Sequence, residues 1–171
     1  MNKLALLLTL FSVTVFADPT VFKMELGKST EQEIKNMYSL KKEGINKYSN
    51  GNQYYINPSE LNLSDLKSTL IIFNEKNILV GVSSVLPKKS GKFKYLYNIL
   101  NSKYKLVKEE IPFVGDKFAK FKDGKSEIIL DAPHLGFQIY LDYLHSNFID
   151  AVNKAKLEKE KQRRQNDASV L

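Results

Sequence analysis

Phe137-Gln138-Ile139-Tyr140-Leu141-Asp142-Tyr143-Leu144 alternates apolar with polar or amphipathic side chains along its whole length. Side chains on a strand point to opposite faces with a period of two. Phe137, Ile139, Leu141 and Tyr143 are therefore expected to face a core, with Gln138, Tyr140 and Asp142 facing away. A strand buried on both faces reads as a continuous apolar run, whereas alternation marks an antiparallel sheet covered on one side. Upstream, Lys117 to Lys122 and Lys125 to Leu130 flank Asp123-Gly124, a pair favoured in tight hairpins because such turns need positive φ. Lys105 to Ile111 is a further strand, broken at Pro112. Four successive strands with short connections make a meander.

Before this meander, Phe93, Leu96, Tyr97, Leu100 and Tyr104 recur at i, i+3, i+4, i+7 and i+11, with Lys92, Lys94, Asn98 and Lys103 between them. That spacing puts one apolar stripe on an amphipathic helix. The first half of the chain has a similar order. Ser29 with Gln32 and Thr30 with Glu33 both fit a capping box, so a helix is expected there, with Ile34, Met37 and Tyr38 as its buried stripe and Gly44 as its stop. Strand periods follow in Gln53 to Ile56, Ser68 to Phe73 and Ile78 to Val85, the last two flanking the polar stretch Asn74-Glu75-Lys76-Asn77. A C-terminal helix starts near Ser146 or Asn147 with a brief stripe of Phe148, Val152 and Ala155, and residues 156–167 are almost all charged or amide, a tail expected to project and fray.

The fold class is thus α+β: an antiparallel meander with helices on one face, plus a C-terminal helix. Residues 18–146 form the α+β domain, and residues 147–171 the helix and charged tail. Phe73-Asn74-Glu75-Lys76-Asn77 and Phe121-Lys122-Asp123-Gly124-Lys125 hold equivalent places, which suggests pseudo-repeats over 29–87 and 91–146. The Gly27-to-Thr30 helix start, a Gly-x-Ser/Thr motif, with the second helix and the meander after it, resembles a small periplasmic α+β group. That group includes the BamE/SmpA outer-membrane assembly lipoproteins and the tandem-repeat β-lactamase inhibitor proteins. The resemblance lies in element order over most of residues 25–145 and implies a non-enzymatic binding module. Ser90-Gly91 near Tyr95 is also similar to the Ser-Gly-x-x-Tyr loop of lysozyme inhibitors, with its tyrosine one residue late.

The N-terminus reads as a secretory signal over residues 1–17. Lys3 precedes an uncharged run from Leu4 to Phe16, and Val15-Phe16-Ala17 puts small residues three and one before Asp18. The run is shorter than the roughly 17 to 25 apolar residues of a spanning helix. Cleavage between Ala17 and Asp18 would leave a periplasmic or secreted protein with no stable membrane anchor. The chain has no cysteine, which excludes disulfides, thiol catalysis, Cys-based zinc sites and haem attachment. Its net charge of +7 suits nucleic acid, anionic lipid or an acidic partner. The lysines are spread among Asn, Ile, Tyr and Phe residues as AT-rich coding would also produce, and a nucleic-acid partner is not expected.

Few chemistries fit the residues present. Gly27-Lys28-Ser29 ends like a phosphate loop, but Phe22 stands where that motif needs a glycine. His134 and His145 have no companions at metal-ligand spacing, so neither a metal nor another cofactor is expected. Gly81-Val82-Ser83-Ser84-Val85 lacks the second glycine of a nucleophile elbow. No catalytic residue is assigned. The function expected is an exported binding module, such as an inhibitor, an immunity-type protein or an envelope assembly partner, and the alternative is an envelope hydrolase using Asp or His residues, with Asp131 and Asp142 as the carboxylate pair.

The expected partner is a protein, acidic enough to meet Lys88, Lys89, Lys92 and Lys94. These lysines crowd a helix N-terminus, whose macrodipole disfavours cations, so they are not a stability device. Meander geometry adds a second group. The first and third connections of four antiparallel strands lie at one end, which brings Pro112-Phe113-Val114-Gly115 beside Ala132-Pro133-His134-Leu135-Gly136. Apolar loop residues either cap the core or form a contact patch. In a patch, Phe113 and Leu135 are the anchors and His134 a rim group. The exported chain should begin at Asp18, within a residue or two, when its intact mass is measured, and retention of Met1 would overturn the signal assignment.

Overall fold

Thr30 opens the first helix as the sequence requires. Its Oγ1 accepts the Glu33 N–H at 3.2 Å, and Glu33 Oε2 accepts the Thr30 N–H at 2.8 Å. Ser29 does not form the alternative box; its Oγ accepts the Glu25 N–H at 2.9 Å. The computed structural model describes residues 17–170, so all of the expected signal except Ala17 lies outside the described residues. In chain order the elements are β1 (Thr20–Val21), β2 (Met24–Glu25), α1 (Glu31–Met37), β3 (Leu40–Ile45), β4 (Asn50–Ile56), a 3-10 turn (Pro58–Glu60), β5 (Ser68–Asn74) and β6 (Leu79–Pro87). There follow α2 (Lys92–Lys103), β7 (Lys105–Glu110), β8 (Lys117–Asp123), β9 (Ser126–Ala132), β10 (Gln138–His145) and α3 (Ser146–Val170).

The fold is α+β. Eight strands form one antiparallel sheet in the order β3-β4-β5-β6-β10-β9-β8-β7, and β1 with β2 makes a separate two-stranded ribbon. The sheet is two meanders laid back to back. Each follows a helix in sequence, α1 before β3 to β6 and α2 before β7 to β10, and they join where β6 pairs with β10 from Gln138↔Pro87 to Leu144↔Gly81.

Cross-strand partners share a face, which separates the two sides of the sheet. On one side, Ile71, Val82, Tyr143, Ile128 and Phe121 form a row of successive partners. All are buried, under Ile34 of α1, Phe93, Leu96 and Leu100 of α2, and Met24 and Leu26 at the ribbon. On the other side, Lys41, Tyr55, Leu70, Ser83, Asp142, Ile129, Lys120 and Lys108 form a row across all eight strands. One end of this second face is covered by the first turns of α3, where Phe148 and Val152 pack with Ile72, Val80, Leu70 and Leu144.

Three elements depart from the sequence expectation. Helix α1 stops at Met37 and not at Gly44, because Tyr38 turns extended and its hydroxyl donates to Phe22 O at 2.7 Å, while Ser39 N–H is taken by Glu60. The residues after it form β3, with Gly44 at φ +126 beside a register shift against β4, so this glycine serves a bulge and not a helix stop. Phe137 does not reach the core. It precedes β10, its carbonyl accepts the Lys88 N–H at 2.9 Å, and its ring is exposed. Helix α3 continues to Val170 instead of fraying, although beyond Ala155 its side chains are exposed. Leu100 is buried against the sheet. Leu100→Ala should therefore cost about 2 to 5 kcal/mol in a urea titration, and a negligible loss would show that α2 is not a core helix.

Candidate binding site at one end of the sheet

Three connections converge at the end of the sheet where β6 exits and β10 enters. The β6–α2 link follows Pro87, which is paired with Gln138, and the β7–β8 and β9–β10 links flank the pair Lys117↔Ala132. Polar contacts tie the connections together. His134 N–H donates to Asp116 Oδ1 at 2.6 Å, and the Lys88 ammonium donates to Pro133 O at 2.5 Å and His134 O at 3.1 Å.

Between these links and the start of α2 lies a cavity of about 770 Å3. Its walls include Phe93, Tyr97, Ile111 and Phe137, and its charged or titratable lining includes Lys88, Lys89, Lys94, Lys117 and His134. Tyr97 is held by a hydrogen bond from its hydroxyl to Glu109. Helix α2 opens into the cavity through Gly91, a left-handed N-cap at φ +73 that supplies no side-chain acceptor, and no acidic residue occupies the first turn. Orphan N–H groups of a helix start attract negative charge.

The lysines divide by what neutralises them. Lys89 and Lys92 grip Asp65 at 2.5 and 3.1 Å, and these two hydrogen-bonded ammonium groups, Lys89 foremost, hold the Asp65 carboxyl below its usual range. Lys88 meets only neutral carbonyls. Lys94 and Lys117 have no ion pair among the described residues. The cavity edge therefore keeps the uncompensated charge of Lys88, Lys94 and Lys117, while Lys92 points across to Asp65 and Ser64 and does not line the cavity.

Phe113 and Leu135 stand outside the cavity at the loop tips. Phe113 is fully exposed, Leu135 is 89% exposed and Phe137 is 87% exposed. Of the two roles open to apolar loop residues, capping the core is excluded for these side chains. His134 is exposed beside them. Sequence reasoning gives Tyr97 only a place in the α2 stripe and gives Lys117 and Ile111 no site role. Lys117 is the first residue of β8, and only the register that sets it opposite Ala132 brings it to the cavity.

The remaining candidates lie elsewhere. Tyr95 is exposed on α2, with the Lys92 ammonium 5.5 Å from its ring centroid. His145 is buried at the far end of β10, its Nε2 3.8 Å from Asp18 Oδ2. Asp18, the residue expected to follow the signal, accepts hydrogen bonds from Lys125 N–H at 2.7 Å and Ser126 Oγ at 2.9 Å. No group of three or more potential metal ligands occurs among the described residues.

Asp131 and Asp142 are diagonal neighbours on the second face of the sheet, opposite Tyr140 and Ile129 respectively. Burial pushes both carboxyls up. Asp116 adds to the rise at Asp131, and Asp131 adds to it at Asp142, where the Ser83 hydroxyl donating at 2.5 Å works in the opposite direction. His145 faces the opposite side of the sheet, and His134 lies in the β9–β10 connection.

A carboxyl whose folded pKa is raised binds more protons folded than unfolded, so it costs stability above that pKa, and the cost disappears once pH falls below the unfolded value near 3.8. Asp142→Asn keeps an acceptor for Ser83 and removes the buried charge. It should raise the melting temperature at pH 7 by a few degrees, on the order expected for ~1 kcal/mol, and the gap from the parent should close as pH drops toward 3.8. A lowered midpoint at pH 7 would show that the ionised carboxylate is needed there. No protein-family model, characterised protein or solved structure matches this chain.

Proposed function

We propose that the protein is an exported, non-enzymatic binding module of the periplasm or cell exterior. It holds a target that presents anionic groups beside apolar ones against the end of the sheet formed by the β6–α2, β7–β8 and β9–β10 connections. The observation that carries this reading is the juxtaposition of Lys88, Lys94 and Lys117, cations without an acidic counterion among the described residues, with the exposed apolar side chains Phe113, Leu135 and Phe137. Folded domains seldom leave such apolar groups clustered on their surface unless the surface is used. An inhibitor, an immunity-type protein and an envelope assembly partner each require a face of this kind, and an acidic protein satisfies its charge.

The hydrolase reading keeps one point in its favour, the raised carboxyls of Asp131 and Asp142 on the second face. Acid–base work on a glycoside needs two carboxyls with divergent environments flanking the scissile bond. Both of these are pushed in the same direction by the same cause, which supports the binding reading over the hydrolase. The test is capture from a detergent-free envelope extract, with protein and lipid both analysed, by the parent and by Lys94→Glu/Lys117→Glu. The parent should retain a component at fixed stoichiometry that the charge-reversed variant loses, the two having equal melting temperatures. Equal retention by both, or turnover of cell-wall or ester substrates by the parent, would overturn the proposal.

A further inference from the structure

We infer that the target of this face is the anionic surface of a lipid bilayer, with Phe113, Leu135 and Phe137 entering the interface and Lys88, Lys94 and Lys117 lying at the level of the head groups. This rests on the binding-module reading above and names its partner.

The first argument is shape. Phe113 in the β7–β8 connection is fully exposed, and Leu135 and Phe137 in the neighbouring β9–β10 connection are nearly so. The anchors of a protein interface must fill pockets shaped to them on the partner, ringed by contacts that exclude water. Phe113 and Leu135 stand outside the cavity and Phe137 lines its edge, so a protein partner would have to supply a fitted pocket for each. A fluid acyl layer needs none, because it closes around each side chain whatever its orientation, and the gain scales with the apolar area buried plus the attraction of cations to anionic lipid.

The second argument is the order of groups along the direction of approach. The apolar side chains sit in the connections themselves, and two of the cations, Lys117 and Lys88, are held where those connections meet the sheet. Lys117 begins β8 and is paired with Ala132 inside the sheet, and Lys88 reaches the carbonyls at the base of the β9–β10 link. A bilayer presents the matching order, with phosphates outside and acyl chains within. The start of α2 carries no acidic residue, and Asp116, the exposed acid of the β7–β8 connection, is engaged by the His134 N–H at 2.6 Å.

The third argument is distribution. Phe113, Leu135 and Phe137 are the three most exposed large apolar side chains among the described residues, and all sit in two adjoining connections. At the opposite end the β5–β6 and β8–β9 turns, Asn74 to Asn77 and Lys122 to Lys125, are polar, and Ile45, before the β3–β4 turn, is the exposed apolar side chain there. No helix among the described residues is long and apolar enough to cross a membrane, so the association inferred is peripheral and reversible.

The test is co-sedimentation with vesicles of phosphatidylcholine alone and of phosphatidylcholine with equal phosphatidylglycerol, at low ionic strength and in 0.5 M salt. The parent should partition to the phosphatidylglycerol vesicles ~10-fold or more above the neutral ones, and lose most of that in high salt. Phe113→Ser/Leu135→Ser, whose side chains contribute no core packing, should melt as the parent does and lose ~10-fold in partitioning. Lys94→Glu/Lys117→Glu should lose the preference for phosphatidylglycerol. Absence of vesicle binding, equal binding to both vesicle types, or unchanged binding by the Phe113/Leu135 variant would overturn the inference. If vesicles are not bound while extract capture still depends on Lys94 and Lys117, the lipid is wrong and the binding module stands, with an acidic protein as its target.

Discussion

The pairing of β6 with β10 makes one molecule of two meanders. Its register runs from Pro87 with Gln138 to Gly81 with Leu144, and both strands are flanked on their outer sides, by β5 and β9. Register at this seam is set by the buried pairs Ile139 with Leu86, Leu141 with Ser84 and Tyr143 with Val82, since a slip of one residue would turn all of them to the other face. The edges are treated differently. β3 carries Lys41 and Lys42 and a register shift before Gly44, and β7 carries Lys105 and Lys108 with a shift after Leu106. Charged side chains and bulges discourage further strand addition at such edges. The candidate site depends on the same seam, because the end of β6 and the start of β10 are partners, which forces the link into α2 to lie against the β9–β10 loop.

A sheet with helices in one layer leaves its second face to be managed. Here α1, α2 and the β1–β2 ribbon bury the first face, and only the opening turns of α3 touch the second. The rest of that face is a mixture in which apolar side chains alternate with polar partners: Tyr55 and Leu70 beside Ser83 and Asp142, Ile129 beside Lys120, and Lys120 paired with Glu127 at 2.9 Å. The raised carboxyl of Asp142 is the cost of that mixture. Its position is central on the sheet, where neighbouring side chains screen it from water, yet its nearest donor is the neutral hydroxyl of Ser83.

Period and turn chemistry made much of this legible. The i, i+3, i+4, i+7 stripe of α2, the alternation of Ile139, Leu141 and Tyr143, and the turns at Asn74 to Asn77 and Asp123-Gly124 depend on local geometry alone, and each is where the pattern puts it. Gly44 misled because a glycine after a polar helical stretch serves equally as a helix stop or a bulge. What decides between them is Tyr38 reaching Phe22 and Ser39 reaching Glu60, contacts to segments distant in sequence. Phe137 misled because alternation continues one residue past the point where the covering layer ends. Of the site, the meeting of the two apolar loops followed from meander topology and so could be read in advance. Which lysines are neutralised could not, since Asp65 reaches Lys89 and Lys92 across 24 and 27 residues.

The two helix starts on the covered face show how unusual the site's electrostatics are within this one chain. At α1, Thr30 caps the helix and Glu31 and Glu33 occupy the first turn, with Glu31 buried against Tyr54, Asn52 and Lys35. Burial alone would raise the Glu31 carboxyl, but the bonds from Lys35, Tyr54 and Asn52 outweigh it and hold the group below its usual range. Side-chain capping of this kind stabilises a helix by about 1 kcal/mol, and acidic groups in the first turn add to it. At α2 all of this is missing. Gly91 supplies no cap, the first turn has no acid, and Lys92 and Lys94 add charge of the same sign as the helix end. Asp65 offsets Lys89 and Lys92 but lies outside the cavity. The chain thus contains the means to neutralise a helix start and uses them at α1. At α2 the positive end, Lys94 and Lys117 have no counter-charge among the described residues, so the two helix starts of one covered layer differ in sign at the surface they present.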